Sequence, residues 1–239
     1  MTKSNLRQTI GLPVAIAFSM AALTSARANL LVNGDFETGT YAGWNVFDQA
    51  GGSGTWFLDT PGTTSPLAGF ATAPNGAGGN FYAVTDQTGP GCHVLLQSFT
   101  LASGGLVNLS WQMFVNSQDG SFNPGDLNYN TVPSEYGRVD LLTGAAAPFS
   151  TAGVDVLNTF YAGNDPQGSN PNPYAPYSFN VNLPAGTYQI RFAEVDNQSF
   201  FNMGVDNVSV NEVPEPAGWQ IGSLAFAGLI WRFRMMRKR

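Results

Sequence analysis

The chain has 239 residues, of which only 11% are charged, and its formal net charge is −6. Most basic residues lie near the two ends, so residues 29–213 hold two arginines against fifteen acids, a formal charge of −13. This excludes nucleic-acid binding by that span, which needs clustered Lys and Arg, and favours an affinity for divalent cations.

Residues 1–28 have the order of a secretory signal peptide. Lys3 and Arg7 form a positive start, residues 9–23 are apolar, and Ala26 and Ala28 supply the small residues that precede cleavage. We therefore predict that the protein is exported and that the mature chain begins at Asn29. An uncleaved N-terminal anchor is the alternative, although the apolar segment is short for one.

Residues 29–212 consist of short runs that alternate apolar and polar residues and are separated by Gly, Pro, Asn and Ser clusters. This pattern predicts a single all-β domain, a jelly-roll β-sandwich. Trp44 and Trp111 are expected in its core. The predicted strands are Leu30–Asn33, Trp44–Phe47, Thr55–Leu58, Phe81–Thr85, Val94–Leu101, Leu106–Asn116, Gly137–Leu142, Val154–Phe160, Tyr177–Leu183, Tyr188–Val195 and Val205–Val210.

Two long polar loops, 119–133 and 163–176, interrupt the strands. Long loops in a compact domain are often functional. Tyr129 and Tyr174 lie in these loops and are candidate ligand-binding residues, because an exposed aromatic face can stack on the C–H face of a sugar. The alternative for each is ordinary packing.

Several acids share strand faces with apolar residues. If Val208 and Val210 point inward, Asp206 should do so too, and the alternation of the preceding strand places Glu194 and Asp196 inward. A buried carboxylate needs partners or a cation. We therefore predict one structural calcium site formed by Glu37, Asp206 and carbonyl oxygens of the first strand and turn. The alternative is that these acids cap turns through backbone N–H groups.

Residues suited to catalysis are few. His93 is the only histidine, residues 4–237 contain no lysine, and Cys92, the only cysteine, excludes an internal disulfide. Cys92 and His93 are adjacent, so in a strand they point to opposite faces and cannot form a catalytic pair. We predict no catalytic residues and no enzyme. A polysaccharide-acting enzyme that uses two carboxylates is a less favoured alternative.

The C-terminus has three parts in order: Pro214-Glu215-Pro216, an apolar run over 217–231, and a basic end with five Arg or Lys residues. An apolar run before a basic cluster predicts a membrane helix whose basic end stays on the cytoplasmic side. Its fifteen residues span about 22 Å as a helix, short of the ~30 Å hydrocarbon core, so the anchor is marginal. A plain tail anchor is the alternative.

Residues 213–239 resemble the PEP-CTERM sorting signal of Gram-negative bacteria that make extracellular polysaccharide. The resemblance implies that a membrane protease, exosortase, recognises Pro214, Glu215 and Pro216. It also implies a transient inner-membrane intermediate, followed by delivery of the protein to the cell surface or matrix.

Both ends of the predicted domain are similar to the ends of galactose-binding-like jelly rolls, which include carbohydrate-binding modules. The similar segments are the opening, Asn29–Glu37 followed by Trp44, and the last strand, Gly204–Val210. The resemblance implies that the two terminal strands lie close together with a structural calcium near them. The expected function is non-catalytic binding or organisation of extracellular polysaccharide. A purely structural surface or matrix protein is the alternative.

Overall fold

A computed structural model describes residues 28–73, 77–164 and 170–214. Ala28 and Pro214 are therefore described. Outside the described residues lie the rest of the predicted signal peptide, which includes Ala26, and the predicted sorting signal from Glu215 and Pro216 through the membrane span 217–231. Among the described residues, no helix has the length and apolar character needed to cross a membrane.

The described chain is built of β-strands joined by turns and loops. Ten strands follow one another in this order: β1 Asn45–Asp48, β2 Thr55–Asp59, β3 Tyr82–Asp86, β4 Gly91–Leu101, β5 Gly105–Ser117, β6 Glu135–Thr143, β7 Val156–Gly163, β8 Ala175–Leu183, β9 Gly186–Asp196 and β10 Phe201–Glu212.

The strands of the described chain form two five-stranded antiparallel sheets. The order in the first sheet is β1-β4-β9-β6-β7, and in the second it is β2-β3-β10-β5-β8. Seven of the nine connections pass from one sheet to the other; only β2–β3 and β6–β7 stay within a sheet. The prediction of an all-β sandwich is confirmed.

The first predicted strand, Leu30–Asn33, is not a regular strand, but it lies against the last one. The N–H of Leu30 donates to the carbonyl of Val210 at 2.8 Å, and the N–H of Val208 donates to the carbonyl of Gly34 at 2.8 Å. The two ends of the domain are thus hydrogen-bonded to each other, as the jelly-roll resemblance implied.

The core lies between the sheets and follows the predicted alternation. Trp111 is buried on the inner face of β5, where it stacks on Tyr177 and Phe179 with ring centroids 5.5 and 5.6 Å apart. Truncating a buried Trp to Ala typically costs about 3–5 kcal/mol. Trp44 is also buried, so the core assignment of both tryptophans is confirmed.

Each sheet is also covered on part of its outer face. A cluster that includes Cys92 and Tyr136 covers the first sheet, and a smaller one that includes Tyr82 and Phe114 covers part of the second. The remaining outer face of the second sheet, on β8, the first half of β5 and the last part of β10, carries exposed or half-exposed side chains.

Candidate functional site

Asp206, a predicted calcium ligand, is buried on the outer face of the second sheet. The prediction that it points inward with Val208 and Val210 is wrong, because a β-bulge between Asp206 and Ser209 shifts the register of β10 against β5. Asp206 is opposite Gln112, on the face that the core residues of β5 do not use. Its side chain is nevertheless only 1% exposed.

The carboxylate of Asp206 is incompletely hydrogen-bonded. Oδ1 accepts a bond from the N–H of Asn207 at 2.6 Å, whereas Oδ2 has no partner among the described residues. Burial, with smaller contributions from the negative charges of Glu37 and Asp35, raises the pKa of Asp206 to about 7. Three carboxylates therefore lie near enough to influence one another, and the buried one has an oxygen available for a cation.

Glu37, the other predicted ligand, fastens the first turn to the segment that leads into β3. Its Oε1 accepts bonds from the N–H groups of Asn80 at 2.7 Å and Phe81 at 2.9 Å, and Oε2 accepts from Asn80 Nδ2 at 2.9 Å. These bonds, that of Phe81 first, lower the pKa of Glu37. Glu37 thus caps a turn, as the alternative prediction held, while Oε2, which accepts a single bond, keeps acceptor capacity for a cation.

The backbone around these acids adopts an uncommon conformation. Among the described residues, three that are not glycine have positive φ: Asn33 at 52°, Phe36 at 56° and Asn207 at 52°, and all flank the acids. Gly34 approaches the carbonyl oxygen of Val208 so closely that a Cβ would collide with it. Such conformations persist only where the surrounding structure imposes them, and they cluster at ligand sites.

Over residues 28–214, leaving aside 74–76 and 165–169, no three His, Cys, Asp or Glu side chains converge closely enough to hold a metal ion. A cation at Asp206 would therefore have at most two carboxylate ligands, with carbonyl oxygens and water completing the shell. Calcium tolerates this mixture of oxygen ligands. The unpartnered Oδ2 of Asp206 beside the first turn fits such a site.

The two tyrosines predicted as exposed ligand-binding residues are both partly buried. Tyr129 donates its hydroxyl to the carbonyl of Ala50 at 3.1 Å and packs against the outer cluster of the first sheet. Tyr174 packs edge-on against Tyr82 and Phe114, with centroids 6.0 and 5.1 Å away. Neither ring is an open stacking platform, so the expectation of free exposure is wrong.

The two arginines of the described chain both bind one acid. The carboxylate of Asp140 accepts hydrogen bonds from Arg138 Nε and Nη2, at 2.7 Å each, and from Arg191 Nη2 at 2.6 Å. Arg191 also donates to the carbonyls of Pro148 and Ser150 at 2.8 and 2.7 Å. Because this network on the outer face of the first sheet uses both cations, neither is available to the acids between the sheets.

Glu194 and Asp196 are buried between the sheets, as predicted. Thr85 donates its hydroxyl to Glu194, and Gln87 Nε2 donates to Asp196 Oδ2 at 2.8 Å. Burial raises the pKa of Glu194 well above its ordinary value and that of Asp196 to about 6. Hydroxyl and amide donors thus bind these acids, and burial shifts both towards their protonated forms.

Cys92 and His93 confirm that adjacent strand residues face opposite ways. Cys92 lies in the outer cluster of the first sheet, where burial raises the pKa of its thiol. His93 lies between the sheets, with Nδ1 2.7 Å from Asp48 Oδ1 and Nε2 2.9 Å from the carbonyl oxygen of Ser53. The two side chains therefore do not form a thiol–imidazole pair.

A groove of about 460 Å³ opens where β7, an edge of the first sheet, lies beside β8, an edge of the second. Its volume falls in the range of small-molecule sites. The lining residues come from the edge strands β7 and β8, from β6, from the start of β9 and from the turn between β8 and β9. They are Leu141, Thr143, Leu157, Asn158, Val181, Asn182, Leu183, Pro184, Gly186, Thr187 and Tyr188.

The groove combines an apolar surface with neutral polar groups. Leucine, valine and tyrosine side chains form the apolar part, and Asn158, Asn182, Thr143 and Thr187 contribute amides and hydroxyls. None of the described residues that line it is charged, although the domain is strongly acidic. No sequence pattern indicated this groove, because its residues are scattered along the chain and meet only at the sheet edges.

No family model matches the chain, and no curated protein matches it. Solved structures with a similar fold include a family 61 carbohydrate-binding module in complex with β-1,4-galactotriose, at 11% identity and a TM-score of 0.49, covering 78% of this chain and 99% of that one. The K3 adhesin domain of Lys-gingipain from Porphyromonas gingivalis is 18% identical with a TM-score of 0.47, covering 78% and 97%.

The enzymatically active domain of bacteriophage CBA120 tailspike protein 4 is 14% identical, with a TM-score of 0.46 over 77% of this chain. The chain spans about a fifth, 21%, of that tailspike chain. All three TM-scores lie below 0.5, so the function of this chain has to be inferred from its own residues.

Proposed function

We propose that the protein is an exported, non-catalytic protein that binds or organises extracellular polysaccharide. The observation that carries this proposal is the groove between β7 and β8. An apolar surface with amides and hydroxyls suits a sugar, whose C–H faces are apolar and whose hydroxyls form hydrogen bonds.

The charge distribution narrows the class of sugar. A span with a formal charge of −13 repels an anionic polymer, and the described lining of the groove contains no arginine or lysine to offset this. The favoured ligand of the groove is therefore a neutral glycan. An anionic one would need a bridging cation.

A glycan array probed with the full-length protein, with and without calcium, tests the proposal. We expect retention of at least one neutral glycan and its loss in Leu157→Asp, which places a charge in the groove wall. Val154→Asp is the matched control, since Val154 is 82% exposed in the adjoining segment and does not line the groove. If no glycan is retained under either condition, a purely structural surface or matrix protein is the better account.

We also interpret the fold as a jelly roll with a structural calcium at its terminal strands. Most connections cross between the sheets, and the segment after Asn29 lies against β10. Asp206 and Glu37, with carbonyl oxygens of the first turn, would hold the ion. Calcium would neutralise the buried carboxylate and tie the first turn to the last strand.

For localisation, we propose export through the signal peptide 1–28 and sorting through residues 213–239. Exosortase would recognise Pro214, Glu215 and Pro216 while 217–231 is held in the inner membrane, and the protein would then reach the cell surface or matrix. Mass spectrometry of the mature ends, in strains with and without the sorting enzyme, tests this. Recovery of Arg239 in the membrane of both strains would instead identify a plain tail anchor.

A further inference from the structure

The open part of the outer face of the second sheet carries two rows of identical polar side chains. Strand pairing places each row across β8, β5 and β10 in that order. One row is made of serines and the next of asparagines. The members are Ser178, Ser110 and Ser209 in the first row, and Asn180, Asn108 and Asn211 in the second. We call these six residues the Ser-Asn face.

Hydrogen bonds within the Ser-Asn face hold its side chains in place. Asn108 Nδ2 donates to Ser178 Oγ at 3.0 Å and to Asn180 Oδ1 at 2.9 Å, and the hydroxyls of Ser110 and Ser209 are 2.8 Å apart. Each amide can make up to four hydrogen bonds and each hydroxyl up to three, so these bonds use only part of the capacity. The face is thus an ordered array of donors and acceptors.

The spacing of the array follows from sheet geometry. Neighbouring strands lie about 4.8 Å apart, and successive residues on one face of a strand lie about 6.8 Å apart. A ligand that meets both rows at once must itself repeat at intervals of several ångströms. Extended polysaccharide chains lying side by side present hydroxyls in this way.

The composition of the face disfavours other partners. It carries no cation for a nucleic acid or an anionic membrane surface, and its six side chains offer no apolar area for lipid. A second copy pressed against the same face would bury polar groups without the apolar burial that drives stable association. A neutral, hydroxyl-rich polymer matches the face in both charge and hydrogen bonding.

The face is continuous with the groove. Asn182, the next outward residue of β8 after Asn180, is exposed and also lines the groove. A chain bound in the groove can therefore continue over the β8 edge onto the rows. We propose that the Ser-Asn face binds neutral polysaccharide in ordered, insoluble form, with chains packed side by side, while the groove takes a single chain. This inference rests on the proposed function and specifies the physical form of its ligand.

Binding of the full-length protein, purified in mild detergent, to particles of cellulose, chitin and starch tests the inference. Soluble hexasaccharides of the same sugars, measured by calorimetry, report on the groove alone. The test variant is Asn108→Ala/Asn180→Ala/Asn211→Ala, and Ser178→Glu is a second one at the exposed strand edge. The control, Ser98→Ala, removes an exposed hydroxyl from the first sheet, and thermal melting confirms that each variant is folded.

We expect wild-type protein to be retained on at least one kind of particle. The triple variant and Ser178→Glu should lower that affinity at least about tenfold, with the control and all hexasaccharide affinities unchanged. Particle binding that survives both variants overturns the inference. The inference is also overturned if the wild-type protein binds hexasaccharides but no particle. That result would leave the proposed function standing. Failure to bind either form overturns the inference, and the glycan array then decides whether the proposed function stands.

Discussion

Replacing Asp206 with asparagine should stabilise the calcium-free protein and abolish its response to calcium. The pKa of Asp206 is raised from 3.8 to about 7, which corresponds to about 4 kcal/mol of destabilisation when the group is ionised at pH 8. The cost of burial dominates this figure and is lowered by solvent screening and by relaxation of the surrounding protein, so we halve it to about 2 kcal/mol. The asparagine side chain would keep an oxygen for the N–H of Asn207 and remove the buried charge.

Thermal melting of the full-length protein at pH 8, in chelator and in calcium, measures both effects. For a domain of this size, 2 kcal/mol is about 4–8 °C, so we expect Asp206→Asn to melt higher by that amount in chelator. Calcium at a hundred times its Kd should stabilise the wild type by about 2.7 kcal/mol and leave Asp206→Asn unchanged.

Asp35→Asn is the matched control, since it removes one negative charge from the same region at an exposed position. It should retain most of the calcium response. The reasoning is refuted if Asp206→Asn melts lower than the wild type in chelator while calcium still stabilises it. Asp206 would then be a hydrogen-bonding cap, and the turn-capping alternative would hold for both predicted ligands.

Three further predictions concern stability in chelator. The pKa of Asp196 is about 6 in the folded state and near 3.8 in the unfolded state, so its contribution to stability is full below pH 4 and is lost as pH rises through 6. Asp196→Asn should therefore reduce the fall in melting temperature over this range, with the raised pKa values of Glu194 and Asp206 causing the remainder; an unreduced fall would contradict this. Arg191→Met should cost about 3–5 kcal/mol in urea unfolding, because it removes a buried partner of Asp140, whereas a loss below about 1 kcal/mol would mean that Arg138 suffices. Gly204→Ala should lower the free energy of unfolding in urea by about 1–3 kcal/mol, since its Cβ would collide with the ring of Phe114; an unchanged value would show that the ring can move aside.

The all-β fold and much of its core could be predicted from the alternation of side chains along single strands. Alternation is a local property, since successive residues of a strand face opposite ways wherever the strand lies. It placed Trp111 and Glu194 inside, and it separated Cys92 from His93. Alternation gave the wrong face for Asp206, because the β-bulge between Asp206 and Ser209 shifts the register of β10. Side chains before and after the bulge therefore follow different alternations.

The sequence by itself determined the acidic character of residues 29–213, the outward polar positions of β5 and β8, and the ordered motifs at both ends of the chain. Only the tertiary structure decided which strands are neighbours and which are edges. Hydrogen bonding between strands distant in the chain aligns Ser110 with Ser209 and leaves β7 and β8 to border the groove. Pairing depends on the combined packing of both sheets, which no single segment encodes.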